Sequence, residues 1–278
     1  MNNRLSRTRI LALPYTRQCA KILDLVFLTV LHGCAASLSS GTGSDPRAVQ
    51  PERPSVATHA GTVAPGYVEV ETGIEMDRHP DDTHTMLIPT VVKVGIAPRA
   101  QLSIFAPVVR AMGVPLGIGD AGAGVKWRFT DGDGPLGRVA ILPSFTWSTG
   151  GDRGTHTNAA GLLLIDSRSV GPVSLDLNAG LTRHSGDGTT APRTTTVWTA
   201  SSAIPFVGPV GWQLECFGYP GTHGPAGNAP IVAILTGPTL GAWHTLALDA
   251  GVIVPVAGPQ PRAAYAGLVW NVGSMTRQ

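Results

Sequence analysis

The sequence predicts an all-β chain, a transmembrane up-and-down antiparallel β-barrel of about twelve strands. Three observations predict it. Charged residues are only 14% of the 278, against about 25% in an ordinary soluble domain, too few to cover a water-facing surface. No window after residue 40 reaches the about 18 uninterrupted apolar residues that a membrane helix needs. From residue 66 onward, alternating segments of about ten residues are separated by turns, as in strands with one face in lipid. The 35 Gly and 23 Pro do not make the chain low-complexity, because 43% of it is hydrophobic.

Before residue 66 the chain reads differently. Arg4, Arg7, Arg9, Arg17 and Lys21 stand in a stretch without acids, followed by the mainly apolar Ile22–Leu31 and then His32-Gly33-Cys34-Ala35-Ala36-Ser37. A basic region, an apolar region and small residues make a secretory signal, assigned to 1–36. Leu31-His32-Gly33-Cys34 also resembles a lipobox, which would leave Cys34 acylated; cleavage after Ala36 would discard it. Asp24 interrupts the apolar region. Residues 37–65, rich in Ser, Gly, Pro and Ala, read as a flexible periplasmic leader. Cys19, Cys34 and Cys216 form neither a disulfide framework nor a metal spacing. The net charge of +2 argues against a nucleic-acid partner.

The barrel is expected over 66–278. Its strands are expected at 66–77, 86–97, 100–110, 120–130, 138–149, 157–168, 172–184, 194–206, 210–219, 229–240, 242–254 and 262–273. In one of them Ala121, Ala123, Val125, Trp127 and Phe129 alternate with Asp120, Gly122, Gly124, Lys126 and Arg128. In another Val173, Leu175, Leu177, Ala179 and Leu181 alternate with Ser174, Asp176, Asn178, Gly180 and Thr182. A period of two with charge on one face fits lipid outside and a wet lumen inside. Segments 161–165 and 231–235 are apolar throughout and fit less well. Short connections near Pro98-Arg99, Gly132–Gly137, Gly171-Pro172, Gly208-Pro209 and Leu240-Gly241 alternate with long ones at 78–85, 111–119, 150–156, 185–193, 220–228 and 255–261. That is the expected asymmetry between periplasmic turns and outer loops. A soluble β-sandwich or lipocalin-like barrel would also show short strands and Gly/Pro turns, but with more surface charge.

The tryptophans follow the same path. Trp127, Trp212, Trp243 and Trp270 fall towards periplasmic strand ends, Trp147 and Trp198 towards outer ends, as interfacial aromatic girdles require.

The segment Gly117-Ile118-Gly119-Asp120 through Lys126-Trp127-Arg128-Phe129 resembles a strand of the outer-membrane barrels linked to the meta-cleavage pathway of phenol degradation. Gly66–Glu75, Leu87–Ala97 and Gln101–Arg110 stand where that family has its first strands. The resemblance implies a twelve-stranded type of barrel passing small molecules, hydrophobic ones included. One departure is the C-terminus, Ser274-Met275-Thr276-Arg277-Gln278, which lacks the terminal aromatic that the outer-membrane assembly machinery reads.

The luminal face is expected to carry Glu69, Glu71, Glu75, Lys93, Asp120, Lys126, Arg128, Asp176, Asn178, Glu215 and Asp249. Such side chains either set selectivity, as charged rings do in channels, or pair and plug a narrow barrel. Asp120, Lys126 and Arg128, on one strand face, are the first candidates for either role. His79, His84, His156, His184 and His223, with Asp77, Asp81, Asp82, Asp152 and Asp187, fall in or beside outer loops. They allow a metal-binding surface, though loops collect polar residues by default. An outer-membrane hydrolase would need a serine beside a histidine, with Ser201, Ser202 and His244 the available groups, and no Gly-x-Ser-x-Gly elbow is present. The expectation is a channel or transporter in the bacterial outer membrane, with no catalytic residue and no cofactor. Its partners would be outer-membrane lipid, a small-molecule solute and the assembly machinery. A lipid-modifying enzyme and a structural or metal-binding surface barrel are the alternatives.

Overall fold

The computed structural model describes residues 45–53, 55–111, 113–132, 137–149 and 154–275. No described residue is helical. The strands are β1 (Tyr67–Arg78), β2 (His84–Ile88), β3 (Thr90–Ala97), β4 (Ala100–Phe105), β5 (Val108–Ala111), β6 (Gly117–Ile118), β7 (Ala121–Arg128), β8 (Arg138–Trp147), β9 (Ala159–Val170), β10 (Val173–His184), β11 (Thr194–Val207), β12 (Val210–Tyr219), β13 (Ile231–Trp243), β14 (Leu246–Ala257) and β15 (Arg262–Ser274). Three staves of the barrel are each interrupted once. Pro89 separates β2 from β3, Pro107 lies between β4 and β5, and Gly119-Asp120 separates β6 from β7. A proline has no N–H for the ladder, so pairing breaks there and resumes. The result is twelve antiparallel staves. Each pairs with its neighbours in the chain, and β1 closes on β15 from Tyr67↔Ser274 to Arg78↔Arg262. Closure leaves no edge, which is what lets strands stand in lipid.

The turns follow from local chemistry. Val170 pairs with Val173, and Val207 with Val210, so two residues close each hairpin. In both cases they are Gly-Pro, with Gly171 at φ 58 and Gly208 at φ 54. A positive φ followed by the fixed negative φ of proline is the order a type II′ hairpin needs. One expected turn is displaced. Leu240 and Gly241 stay in the ladder, opposite Leu248 and Ala247, and β13 runs on through a bulge to Trp243. The reversal falls at His244-Thr245. A glycine in a strand marks a bulge as readily as a turn.

The outer wall is apolar. Ile74, Ile104, Val125, Phe145, Leu164 and Leu181 are all exposed on it. The two segments that lacked alternation are explained from inside. On β9, Ile165 packs with Ala140 and Ala60, while Leu162 and Leu164 face outward. On β13, Ala233 and Leu235 pack inward with Phe217, Ile253, Ala263 and Tyr265. Both faces are dry there, so both are apolar.

Leu164 lies near the middle of β9 and is half exposed on the outer wall. Leu164→Arg is expected to destabilise the barrel in lipid vesicles by about 2–4 kcal/mol, read from reversible denaturant unfolding. A change within 0.5 kcal/mol would mean that this face does not meet hydrocarbon.

Candidate functional site: a chain segment inside the lumen

All barrel strands spend their backbone N–H and C=O groups on neighbouring strands. What enters the lumen therefore bonds mainly to inward side chains. The segment 45–65, expected to be a flexible leader, does enter it, and this corrects that expectation for its described residues. The described part of the segment starts at the end of the barrel where β13 turns into β14, and Val49 N donates to His244 O at 3.0 Å. It climbs past β1, turns over near mid-height, and descends to Pro65, which bridges Gly95 of β3. It then turns into β1.

The loop has no secondary structure of its own, and the barrel satisfies its backbone. Gln50 N donates to Glu69 Oε2 (2.7 Å) and Glu52 N to Glu71 Oε1 (2.8 Å). Ala57 N donates to Glu215 Oε1 (2.9 Å) and Thr58 N to Asn178 Oδ1 (2.7 Å). Ala60 N donates to Ser167 Oγ (2.7 Å) and Val63 N to Gln101 Oε1 (3.0 Å). Carbonyls are met too. Gln50 O accepts from Lys93 Nζ, Thr58 O from Asn178 Nδ2, and His59 O from Lys126 Nζ. A buried backbone group without a partner costs about 1–3 kcal/mol, so these side chains make an otherwise forbidden path possible.

Charges tie the loop more tightly. Lys93 Nζ lies 2.5 Å from Glu69 and 2.6 Å from Glu71, with all three side chains buried. Lys126 Nζ pairs with Glu52 of the loop. Arg53 Nη2 reaches Asp249 Oδ1 at 3.4 Å. Glycines clear the space for Arg53. Gly73 and Gly267 face each other across β1 and β15, and a Cβ on either would sit 2.5 Å from its guanidinium. A Cβ on Gly95 would sit 2.1 Å from Ala64 O.

Of the residues expected on the luminal face, Glu69, Glu71, Lys93, Lys126, Asn178, Glu215 and Asp249 all contact the loop. Asp176 is one step removed, accepting from Ser167 Oγ at 2.5 Å. Glu75 is half-buried on the same face of β1, above Gly73. Two of the expected residues lie away from the loop. Asp120 does not join Lys126: it sits at the outer rim and accepts from Thr155 N (2.7 Å), Thr155 Oγ1 (2.8 Å) and Thr149 N (3.3 Å). Arg128 sits at the other end, 3.2 Å from Asp131 of the periplasmic turn. A shared strand face fixes direction but not height, and six residues of strand put Asp120 about 20 Å from Lys126. Gln101, Ser167 and the loop itself were not singled out. The signal for the loop was the charged pair Glu52-Arg53 in a segment whose other charges, Asp45 and Arg47, stand at its start.

All six tryptophans are exposed, from Trp198 at 36% to Trp243 at 67%, and stand near strand ends. Trp147 and Trp198 lie at the end that carries the longer connections, the other four at the opposite end. The outer-loop histidines do not converge. Among the described residues no group of three or more His, Cys, Asp or Glu could hold a metal; Asp152 lies outside them. His79 bonds Thr85 and His184 bonds Thr157. Asp81 and Asp187 each accept from a threonine two residues on, which holds their carboxyls below the usual range. His244 faces Asp45 at 3.4 Å. Ser201 accepts from Gln213, and Ser202 donates to Leu214 O.

No family model matches the chain, and no curated protein matches it. Solved structures do. The COG4313 outer membrane channel from Pseudomonas putida F1 matches at 9% identity and TM-score 0.60, over 76% of this chain and 97% of that one. The KdgM porin matches at 12% identity and TM-score 0.49, over 73% and 98%. At such identities the likeness is one of fold, and the first of these neighbours carries it.

Lys93→Met would leave Glu69 and Glu71 buried without their cation. It is expected to destabilise the refolded barrel by about 3–5 kcal/mol in denaturant titration. A cost under 1 kcal/mol would show that water reaches these carboxylates.

Proposed function

We propose that the chain is an outer-membrane channel for small solutes whose lumen is obstructed by its own N-terminal loop. The observation that carries this is the set of side-chain bonds between the barrel interior and the loop backbone from Gln50 to Val63. Along the loop's path the interior is lined with polar and charged groups that water could serve once the loop leaves, while Phe217, Leu235, Ile253 and Tyr265 pack an apolar cluster elsewhere on the inner face. Export by the signal at 1–36, insertion by the assembly machinery, and lipid around a girdle of the six tryptophans belong to the same reading. The apolar outer wall and the fold shared with an outer membrane channel support it. Residues 1–44, Cys34 among them, lie outside the described residues. The strand around Gly119-Asp120 and Lys126 supports kinship with the phenol-degradation barrels. Their association with small, hydrophobic molecules extends to this chain as part of the proposal. The pairing of Ser201, Ser202 and His244 with other groups supports the non-enzymatic reading.

The test is conductance in planar bilayers, comparing the mature chain with a variant lacking residues 45–64. The mature chain is expected to show small or rare conductance steps, and the deletion large and frequent ones. Equal conductance in both would mean that the loop does not obstruct the path. No conductance in either, with a heat-modifiable folded barrel, would overturn the channel reading.

A further inference from the structure

Among the described residues, the outward strand positions next to the longer connections include Arg78, Arg110, Arg183 and Arg262 and no carboxylate. Three of these arginines stand together. Arg78 of β1 and Arg262 of β15 are direct partners across the ladder that closes the barrel. His84 of β2 is the partner of Arg78 on its other side. Arg110 of β5 pairs with Met86, which pairs with Met76, so it faces outward from the next row down, two strands from β1. All four basic side chains are exposed.

The nearby acids do not cancel this patch. Glu75 and Asp77 alternate with Met76 and Arg78, so they face the lumen. Asp81, in the turn between β1 and β2, accepts from Thr83. Asp82 accepts from Nε and Nη2 of Arg78 on a single oxygen, at 3.1 and 2.7 Å. The side chains of Arg110 and Arg262 have no ion pair among the described residues. Like charges directly opposite on a sheet repel, and one carboxylate here faces two guanidiniums. An anion seated between Arg78 and Arg262 removes that cost.

Position decides what meets this row. Met76 and Ile74, one and two outward rows away along β1, are 48% and 42% exposed, as the apolar wall is where it meets hydrocarbon. Arg78 and Arg262 therefore stand at the headgroup boundary. Beyond Arg262 the wall is furrowed. Ala264 lies between Val252 and Met76, and Ala266 lies beside Ile74. Two methyl groups flanked by longer side chains leave room for one acyl chain. A guanidinium pair at the head of an apolar furrow matches an acylated molecule with a phosphate at its head, which guanidinium groups bond through parallel N–H donors. A phosphate monoester carries about two charges and three acceptor oxygens, enough for both arginines, whereas a phosphodiester carries one charge. The longer connections of outer-membrane barrels face the cell exterior, where the leaflet is built of phosphorylated glycolipid. We propose that Arg78 and Arg262 bind a phosphate monoester of that glycolipid, with one of its acyl chains along Ala264 and Ala266 and with Arg110 adding to the positive field. The site needs the barrel and its lipid but no conducting lumen, so it stands apart from the channel reading.

The test titrates diphosphoryl lipid A into the refolded full chain in detergent micelles and counts bound lipid by native mass spectrometry. Saturable binding is expected. A basic side chain beside an anionic headgroup contributes roughly fivefold in affinity, so Arg78→Gln plus Arg262→Gln is expected to weaken binding by about tenfold or more. Both side chains are exposed, and heat-modifiable mobility on gels checks that the variant barrel has folded. Arg183→Gln, at the same end of the barrel on β10 and bonded to Thr194, is expected to leave binding unchanged. Absence of saturable binding, or binding that the double substitution leaves intact, overturns the inference. So does an equal loss with Arg183→Gln, which would mean that the end as a whole is merely basic. Equal affinity for dioleoylphosphatidylglycerol, or displacement of lipid A by millimolar inorganic phosphate, overturns the assignment to this glycolipid.

Discussion

A closed sheet leaves its lumen no free backbone. Most ladder N–H and C=O groups are committed to a neighbouring strand, so an extended segment that enters finds most of its partners among side chains. The rest of the structure depends on this constraint. It explains why the inner face carries Glu69, Glu71, Gln101, Ser167, Asn178 and Glu215 at heights that match successive N–H groups of the loop. It also explains why the loop is rich in small residues. A side chain on each loop residue would keep the backbone from approaching the wall closely enough to bond. Where the loop does carry a long side chain, Arg53, the wall recedes into the facing glycines Gly73 and Gly267.

Much of the barrel was legible in the sequence because strand period, turn chemistry and outer-wall apolarity each act locally. Gly171-Pro172 and Gly208-Pro209 close their hairpins as their residue types require, and Val125, Trp127 and Phe129 face outward as their spacing does. The β13–β14 turn was misplaced because Gly241 fits a bulge as well as it fits a turn. Parity along a strand was legible, and it decides which way Glu69, Glu71, Lys93 and Lys126 point. Height was not, because height depends on the shear of the closed sheet, a global quantity. That is why Asp120 and Arg128 end at opposite rims while Lys126 meets the loop. The fate of 45–65 was the least legible. Its composition matches a solvated linker, and only the barrel, by presenting acceptors at the right places, turns it into an ordered segment.

The energetics of that segment bear on function. Ionic groups taken from water lose several kcal/mol of hydration each, and their pairing in the interior roughly recovers it. A lumen packed with aliphatic side chains would be at least as stable when closed, but a filling of that kind has no way to be stable when open. Charged and amide side chains have both options. With the loop inside, Glu69, Glu71 and Asn178 accept from its N–H groups; with the loop outside, water replaces those donors at similar cost.

The exchange is not the same for every residue. Lys93 keeps Glu69 and Glu71 whether or not the loop is present, since all three belong to the barrel wall. Lys126 and Asp249 each lose an ionic partner when Glu52 and Arg53 depart. They regain hydration only if water floods the lumen. On the proposed reading, loop withdrawal and flooding would be one event, since Lys126 and Asp249 would otherwise stand buried without the ionic partners that Glu52 and Arg53 supply.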